Sequence, residues 1–217
     1  MKLTVFGASG GTGTQVVGQA LDAGHQVTAV VRDRGRLAVA DHPGLDVVVA
    51  DVMRPAAIEG TVAGRDAVVS ALGHSRRPAE RKAAAHSPVC TDSARSITAA
   101  MRAAGTARLV VVSASGPFTE GDGPVMRFLA KPITQRVLRD PFADLVAMEE
   151  VVRGSGLDWT ILRPPRLTDK PLTGRYRTRR ELNVRRGLVL PRADLAQLIL
   201  AVCGDADTYR TAIFAAR

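Results

Sequence analysis

The chain has 217 residues and a formal net charge of +9, enough length for one domain with a sizeable hydrophobic core and too little for two. Its arginines are spread over nearly every segment, and the one dense patch, at 175–186, contains no aromatic residue besides Tyr176, which argues against a nucleic-acid partner. The two cysteines are far apart, no apolar run approaches a membrane span, and no leader precedes the first strand pattern, so we expect a cytoplasmic protein with no membrane partner and no metal.

Short β-branched runs alternate with longer helical patterns along the chain, which is typical of a parallel sheet covered on both faces. The runs suited to buried strands are residues 3–7, 26–31, 46–50, 66–71, 108–113 and 158–163. The helical patterns are residues 12–23, 55–63, 88–104, 142–154 and 192–203. We predict a single α/β domain over residues 1–217, a Rossmann-like doubly wound fold with a mostly parallel sheet.

The first strand runs directly into a glycine turn that opens a helix, with Gly7, Gly10 and Gly13 spaced three apart. In such a turn the first glycine permits a tight bend, the second lets a pyrophosphate approach the backbone, and the third allows close helix–strand packing. The helix N-terminus offers unpaired N–H groups and a partial positive charge to the anion. We therefore predict a dinucleotide site here, and its candidate residues are Gly7, Ser9, Gly10, Gly11, Thr12 and Gly13.

The residues after the second strand bear on which dinucleotide binds. Arg32 follows that strand, and Arg36 lies one helical turn later. A guanidinium pairs well with phosphate oxygens, whereas a carboxylate at this point binds the ribose hydroxyls of NAD. The arginines favour NADP (as NADPH) over NAD, although Asp33 leaves some ambiguity.

The remaining strand ends supply further candidates for the cofactor site. Asp51 can accept a hydrogen bond from the adenine amine, Gly73 gives backbone room beside the cofactor, and the Ser113 hydroxyl would lie near the nicotinamide. The other candidate cofactor-binding residues are Val52, Leu72, His74 and Pro164.

Three segments do not fit the short-loop pattern and are predicted ligand loops: residues 73–87, 114–141 and 166–190. The first two follow strand C-termini, the edge at which open α/β sheets bind ligands. The third is basic, and its arginines are Arg166, Arg175, Arg177, Arg179, Arg180, Arg185 and Arg186.

The motifs together resemble those of the atypical short-chain dehydrogenase/reductase group, which includes the NmrA-like proteins. The matching segments are GASGGTG at 7–13, VVRD at 30–33, DV at 51–52, VAGRDAVVSALG at 62–73, AAMRAAG at 99–105, LVVVSASG at 109–116 and SGLDWTILRPPRLTD at 155–169. Within the group the chain is most similar to the biliverdin-IXβ reductase/flavin reductase proteins, because PPRLTDKPLTGRY at 164–176 follows their pocket segment.

The chain departs from typical short-chain dehydrogenases because it lacks their Tyr-x-x-x-Lys pair, in which the lysine helps to lower the tyrosine pKa for proton transfer. Its tyrosines are Tyr176 and Tyr209, and the residues four positions later are Arg180 and Ile213. This absence argues against alcohol–ketone chemistry by the usual triad.

The resemblance implies an NADPH-dependent reductase of a planar conjugated acceptor such as a flavin, a biliverdin-like tetrapyrrole or a quinone. Ser113 is the candidate catalytic residue and would orient the nicotinamide, while Arg166 is the candidate cation for an anionic acceptor. Two alternatives remain open: a non-catalytic NmrA-like redox sensor, and a tailoring reductase or epimerase of a biosynthetic pathway. The oligomeric state and the physiological substrate are not predicted.

Overall fold

A computed structural model describes residues 1–73 and 88–217. Its strands are β1 (Lys2–Phe6), β2 (Gln26–Val31), β3 (Leu45–Val49), β4 (Ala67–Ser70), β5 (Arg108–Val112), β6 (Asp158–Arg163), β7 (Arg166–Thr168), β8 (Arg177–Arg180), β9 (Val189–Pro191) and β10 (Thr211–Ala216). The helices of the described residues are α1 (Gly11–Asp22), α2 (Pro55–Val62), α3 (Val89–Ala103), α4 (Lys131–Val137), α5 (Arg139–Arg153) and α6 (Arg192–Cys203). A single π-helical turn, Met126–Ala130, leads into α4.

Eight strands form one sheet in the order β3-β2-β1-β4-β5-β6-β10-β8, and β7 pairs with β9 in a separate two-stranded sheet. All neighbours in the large sheet are parallel except β8, which runs antiparallel to β10. The chain moves outward in one direction from β1 to β3 and in the other from β4, so the strand order reverses between β1 and β4. Such a reversal opens a crevice at the carboxyl ends of the two strands.

The core lies on both faces of the sheet, because alternate residues of a strand point to opposite sides. Leu3 and Val5 of β1 pack in a cluster with the apolar sides of α1 and α6. Phe6 packs in a second cluster with α2, α3 and α5 on the other face. This two-sided arrangement confirms the predicted doubly wound α/β fold.

The predicted helix and strand boundaries differ from the observed ones by at most three residues, and the largest difference is the start of α5. Gly24, Gly105 and Gly156 follow helices and have φ angles of +75°, +69° and +76°, the left-handed conformation that ends helices at glycine. None of the described helices combines the length and the apolar composition needed to cross a bilayer.

The long segments and the end of the chain contain regular structure that the sequence patterns did not predict. Residues 114–141 contain α4 and its π-helical turn, and residues 166–190 contain β7, β8 and β9. β10 was not predicted, although Ala212, Ile213 and Phe214 form a short apolar run that is buried between β6 and β8. Most of the predicted loop at 73–87 lies outside the described residues.

Candidate cofactor and active site

The glycine turn is so crowded that two of its residues have to be glycine. Gly7 has a φ of +77°, and a Cβ added there would lie 2.8 Å from the carbonyl oxygen of Ala71. A Cβ added to Gly13 would lie 2.1 Å from the carbonyl oxygen of Gly7. The tight bend and the close helix–strand contact predicted for these glycines are both present.

The N-terminus of α1 fits an anionic group. Gly10 precedes the helix, no side chain of the described residues caps it, and the first turn contains no acidic residue. Gly10 and Gly11 are exposed, and the Gly10 N–H donates to the Gly7 carbonyl 2.9 Å away, which fixes the turn. The free N–H groups of the first helical turn therefore face outward, with the partial positive charge of the helix behind them. The N-terminus of α1 therefore fits a pyrophosphate in both shape and charge.

The turn lies at the point where the strand order reverses. The Ala71 N–H after β4 donates to the Phe6 carbonyl at the end of β1, at 3.0 Å, so the two strand ends are held together. Of the other predicted residues of the turn, Ser9 is exposed, and Thr12, the second residue of α1, is buried.

The segment after β2 carries the two predicted phosphate ligands. Arg32 is exposed, and Arg36 lies at the end of a single helical turn formed by Arg34–Arg36. The Asp33 carboxylate accepts a hydrogen bond from the Gly35 N–H at 2.9 Å and thereby caps that turn. The carboxylate that made the cofactor preference ambiguous thus has a local structural role.

The candidate cofactor-binding residues after β3 and β4 have mixed environments. Asp51 is exposed, and one carboxylate oxygen accepts the Met53 N–H at 3.0 Å. Val52 is buried, and Leu72 packs partly buried against the same core cluster. Gly73 is exposed, and a Cβ there would meet none of the described residues within 4 Å, so their packing does not require glycine. His74 lies outside the described residues.

Ser113 belongs to a buried polar network that the sequence analysis did not find. Its N–H donates to the Leu162 carbonyl at 2.8 Å, which holds it between the ends of β5 and β6. Its hydroxyl donates to Oε1 of Glu149 at 2.7 Å. Arg163 makes a two-pronged pair with the same carboxylate, from Nε to Oε1 at 3.0 Å and from Nη2 to Oε2.

The charged groups of this network are buried, and Arg163 packs against aromatic rings. Glu149 is 3% exposed and Arg163 is 5% exposed, so both charges are removed from water and depend on each other. The Arg163 guanidinium lies 3.4 Å from the ring centroid of Phe118 and 5.0 Å from that of Phe214. Because Glu149 and Arg163 come from α5 and β6, only tertiary folding brings them to Ser113.

The segment after β6 begins at the same sheet edge. Pro164 is buried, and its carbonyl accepts the Ser115 N–H at 2.8 Å, which joins the chain after β5 to the chain after β6. Arg166 is the first residue of β7 and is exposed. The structure therefore places Arg166 three residues beyond Arg163, on the strand that continues from the candidate site.

The π-helical turn and α4 are anchored to this edge by polar side chains. Buried Lys131 donates to the carbonyls of Ser115 and Phe118, and its Nζ lies 2.5 Å from the Asp122 carboxylate. Gln135 donates to the carbonyls of Gly116 and Pro117, at 3.2 and 3.1 Å. The long segment after β5 is therefore fastened directly beside Ser113.

Neither tyrosine has the environment of a dehydrogenase tyrosine. Tyr209 packs on the Arg108 guanidinium, 4.5 Å from its ring centroid, and Arg108 begins β5 at the opposite edge of the sheet. Tyr176 lies before β8 on the candidate edge, but burial, with a contribution from the nearby Asp194 carboxylate, raises its pKa. A raised pKa is the reverse of what a tyrosine in proton transfer needs.

The strand order, the crevice at the strand reversal and the glycine turn define a Rossmann-like dinucleotide-binding protein. A family model described as NAD(P)H-binding matches residues 7–206, so the chain belongs to this NAD(P)H-binding family.

Several known proteins are similar over nearly the whole chain. The uncharacterized sugar epimerase YhfK of Bacillus subtilis is 25% identical over 210 residues, which cover 96% of this chain and 90% of YhfK. A short-chain dehydrogenase/reductase from Veillonella parvula, solved in complex with NADP, has a TM-score of 0.82 and 19% identity, covering 100% of this chain and 94% of that one. A Streptococcus pneumoniae protein provisionally named an NADH-flavin reductase has a TM-score of 0.79 and 22% identity, covering 100% and 99%.

Proposed function

We propose that the protein is an NADPH-dependent oxidoreductase that transfers hydride to a planar conjugated acceptor, such as a flavin, a biliverdin-like tetrapyrrole or a quinone. The observation that carries the proposal is the Ser113–Glu149 hydrogen bond at the carboxyl edge of the sheet, the same edge at which the glycine turn that fits a pyrophosphate follows β1. This edge can hold a dinucleotide and orient its reactive end.

The direction of that hydrogen bond defines what Ser113 can do. A serine hydroxyl has one hydrogen, and here it is donated to the Glu149 carboxylate. The oxygen keeps lone pairs that can accept a hydrogen bond from an amide N–H, such as that of a nicotinamide carboxamide. Ser113 therefore orients the cofactor and does not protonate the acceptor. Glu149 and Arg163 keep the hydroxyl in this orientation.

NADPH, when bound, supplies the hydride, and the chain supplies position and electrostatics. A conjugated acceptor suits such a site because it can take hydride and be protonated from solvent. A simple ketone needs a positioned acid, and Tyr176, with its raised pKa, is poorly suited to that role.

An apolar surface beside the site supports a planar acceptor. The π-helical turn and α4 are anchored beside Ser113, and apolar side chains between 60% and 77% exposed line one side of this segment: Val125, Phe128, Leu129, Ile133 and Val137. Exposed apolar patches of this kind commonly mark binding surfaces.

The preference for NADPH is proposed from Arg32 and Arg36. We expect Arg32→Ala combined with Arg36→Ala to weaken NADPH binding and leave NADH binding nearly unchanged. The 2′-phosphate would lose charge-assisted hydrogen bonds worth about 1.5–3 kcal/mol each. Calorimetric titration with both cofactors measures the effect. Equal losses for NADH and NADPH would contradict the proposed discrimination.

The reductase activity itself is tested by mixing the protein with NADPH and either FMN or dichloroindophenol and following the reduced-nicotinamide absorbance. We expect oxidation well above the rate of free NADPH, and its loss in Gly10→Val, whose side chain would occupy the pyrophosphate position. A protein that binds NADPH tightly and oxidises none with any acceptor would be a dinucleotide sensor. Conversion between sugar stereoisomers without net oxidation would instead support the epimerase alternative.

A further inference from the structure

A buried arginine lies against the glycine turn and has no part in the function described so far. Arg192, the first residue of α6, is 7% exposed. Its side chain packs on Gly11, the first residue of α1, and a Cβ added to Gly11 would lie 2.9 Å from both Cδ and Nε of Arg192. The missing side chain of Gly11 thus makes room for the arginine at the helix end that fits a pyrophosphate.

The described residues supply hydrogen-bond acceptors to only part of the Arg192 guanidinium. Its Nη1 pairs with the Asp169 carboxylate, and within residues 1–73 and 88–217 neither Nε nor Nη2 makes a hydrogen bond. Asp169 follows β7, and its side chain is 80% exposed. The buried Arg192 cation beside the N-terminus of α1 is thus paired with an exposed carboxylate, that of Asp169.

We propose that Arg192 is a pyrophosphate ligand of the cofactor site, an inference that rests on the proposed dinucleotide function. The planar guanidinium presents N–H donors in a fork that matches phosphate oxygens. Its burial strengthens the attraction to an anion because water screens the charge poorly there. The arginine adds a full positive charge to the partial charge of the α1 N-terminus, and the first turn of α1 contains no acidic residue to oppose it.

The negative charge of Asp169 should weaken the binding of an anion to Arg192. In the absence of an anion it neutralises Arg192, and with the pyrophosphate present it adds a second negative charge near the first. Replacing Asp169 by asparagine should therefore tighten NADPH binding. If Arg192 were simply a structural link between α6 and the segment after β7, the same substitution would loosen the site.

The experiment measures binding to the intact protein and requires no turnover. NADPH is titrated against Arg192→Gln, Arg192→Lys and Asp169→Asn, and 2′-AMP is the control ligand, because it keeps the adenosine and the 2′-phosphate but has no pyrophosphate. We expect Arg192→Gln to weaken NADPH binding about 10- to 100-fold and 2′-AMP binding less than about twofold. Arg192→Lys should recover part of the affinity, and Asp169→Asn should tighten NADPH binding about two- to fivefold.

The inference is overturned if Arg192→Gln binds NADPH as tightly as the wild type, or if NADPH and 2′-AMP lose affinity equally. Weaker NADPH binding in Asp169→Asn would also overturn it. If Arg192→Gln does not fold, the inference is tested by whether Arg192→Lys weakens and Asp169→Asn strengthens NADPH binding. A wild type that binds no NADPH would refute the cofactor assignment itself, whereas normal wild-type binding that is insensitive to Arg192 refutes only this inference.

Discussion

At the scale of single residues, some glycines of the turn are required by backbone crowding, and others leave room for a ligand. Gly7 and Gly13 are required by neighbouring backbone atoms, whereas a Cβ added to Gly10 would approach one described atom within 4 Å, the Gly7 carbonyl oxygen at 3.1 Å. Substitution at Gly10 should therefore affect the cofactor more than the fold. Substitution at Gly13 should affect both.

Gly13→Ala should destabilise the protein and abolish cofactor binding, because its Cβ would lie 2.1 Å from the Gly7 carbonyl oxygen and force the turn apart. Gly18→Ala is the matched control in the same helix, since a Cβ there meets none of the described residues within 4 Å. It should stabilise the protein by about 0.5–1 kcal/mol. Urea denaturation and NADPH titration of both variants check this, and equal stabilities would contradict the clash.

Tyr176→Phe and Tyr209→Phe should each keep turnover with a flavin or a quinone within about tenfold, or about 1.4 kcal/mol of barrier. Tyr209 lies with Arg108 at the far edge of the sheet, and burial raises the pKa of Tyr176. Steady-state rates with FMN test both. A drop of about 10²–10⁴ in either variant would identify that tyrosine as the general acid.

At the scale of elements, α5 supports the candidate edge of the sheet at two points. Glu149 bonds to Ser113, and Asp144 caps the N-terminus of α3 by accepting the Cys90 and Thr91 N–H groups, both at 2.9 Å. Burial alone would raise the pKa of Asp144, but the hydrogen bonds from the Thr91 side chain and these N–H groups outweigh it, so the pKa is lowered. The carboxylate therefore stabilises the packing of α3 on α5.

Asp144→Ala should lower the free energy of unfolding at neutral pH by about 2–3 kcal/mol, because charged hydrogen bonds to a helix end are lost. Since the folded-state pKa is lowered, the wild-type advantage is fully present above the unfolded pKa of about 3.9 and disappears as pH falls through the folded value. Denaturant titrations across acidic pH measure this. Asp140→Ala, an exposed change on α5, should cost less than about 1 kcal/mol, and a pH-independent difference for Asp144→Ala would refute the charge argument.

At the scale of the whole molecule, the net charge of +9 favours anionic ligands. The exposed position of Arg166 beside the candidate site and the basic segment from 175 to 186 place positive charge on one part of the chain. Long-range attraction of this kind weakens as salt increases, so it can be separated from direct contacts.

FMN should be reduced faster than the uncharged lumiflavin at low salt, and the difference should shrink as salt rises. Arg166→Ala should raise KM for FMN and leave NADPH affinity nearly unchanged, because Arg166 is proposed to bind the anionic acceptor and not the dinucleotide. Initial rates with both flavins over a range of salt concentrations provide the measurement. Equal rates at low salt would show that charge does not select the acceptor.

The sequence by itself determined the fold class, strands β1 to β6, five of the helices and the glycine turn, but not β7 to β10. These depend on local patterns: β-branched runs for buried strands, apolar periodicity for helices, and glycines wherever backbone crowding excludes a Cβ. The turn could be assigned its cofactor because the three glycines and the helix that follows are contiguous in the chain.

Only the tertiary structure decided the partners of those residues. Ser113 meets Glu149, and Gly11 meets Arg192, across 36 and 181 positions of sequence, and no periodicity or spacing encodes such pairs. In the sequence, Arg192 and Glu149 do not differ from other charged residues of predicted helices. In the folded protein, packing buries both of them at the carboxyl edge of the sheet. Burial and proximity belong to the folded chain, because they arise when separate elements pack together, and they decide which charged side chains can act on a ligand.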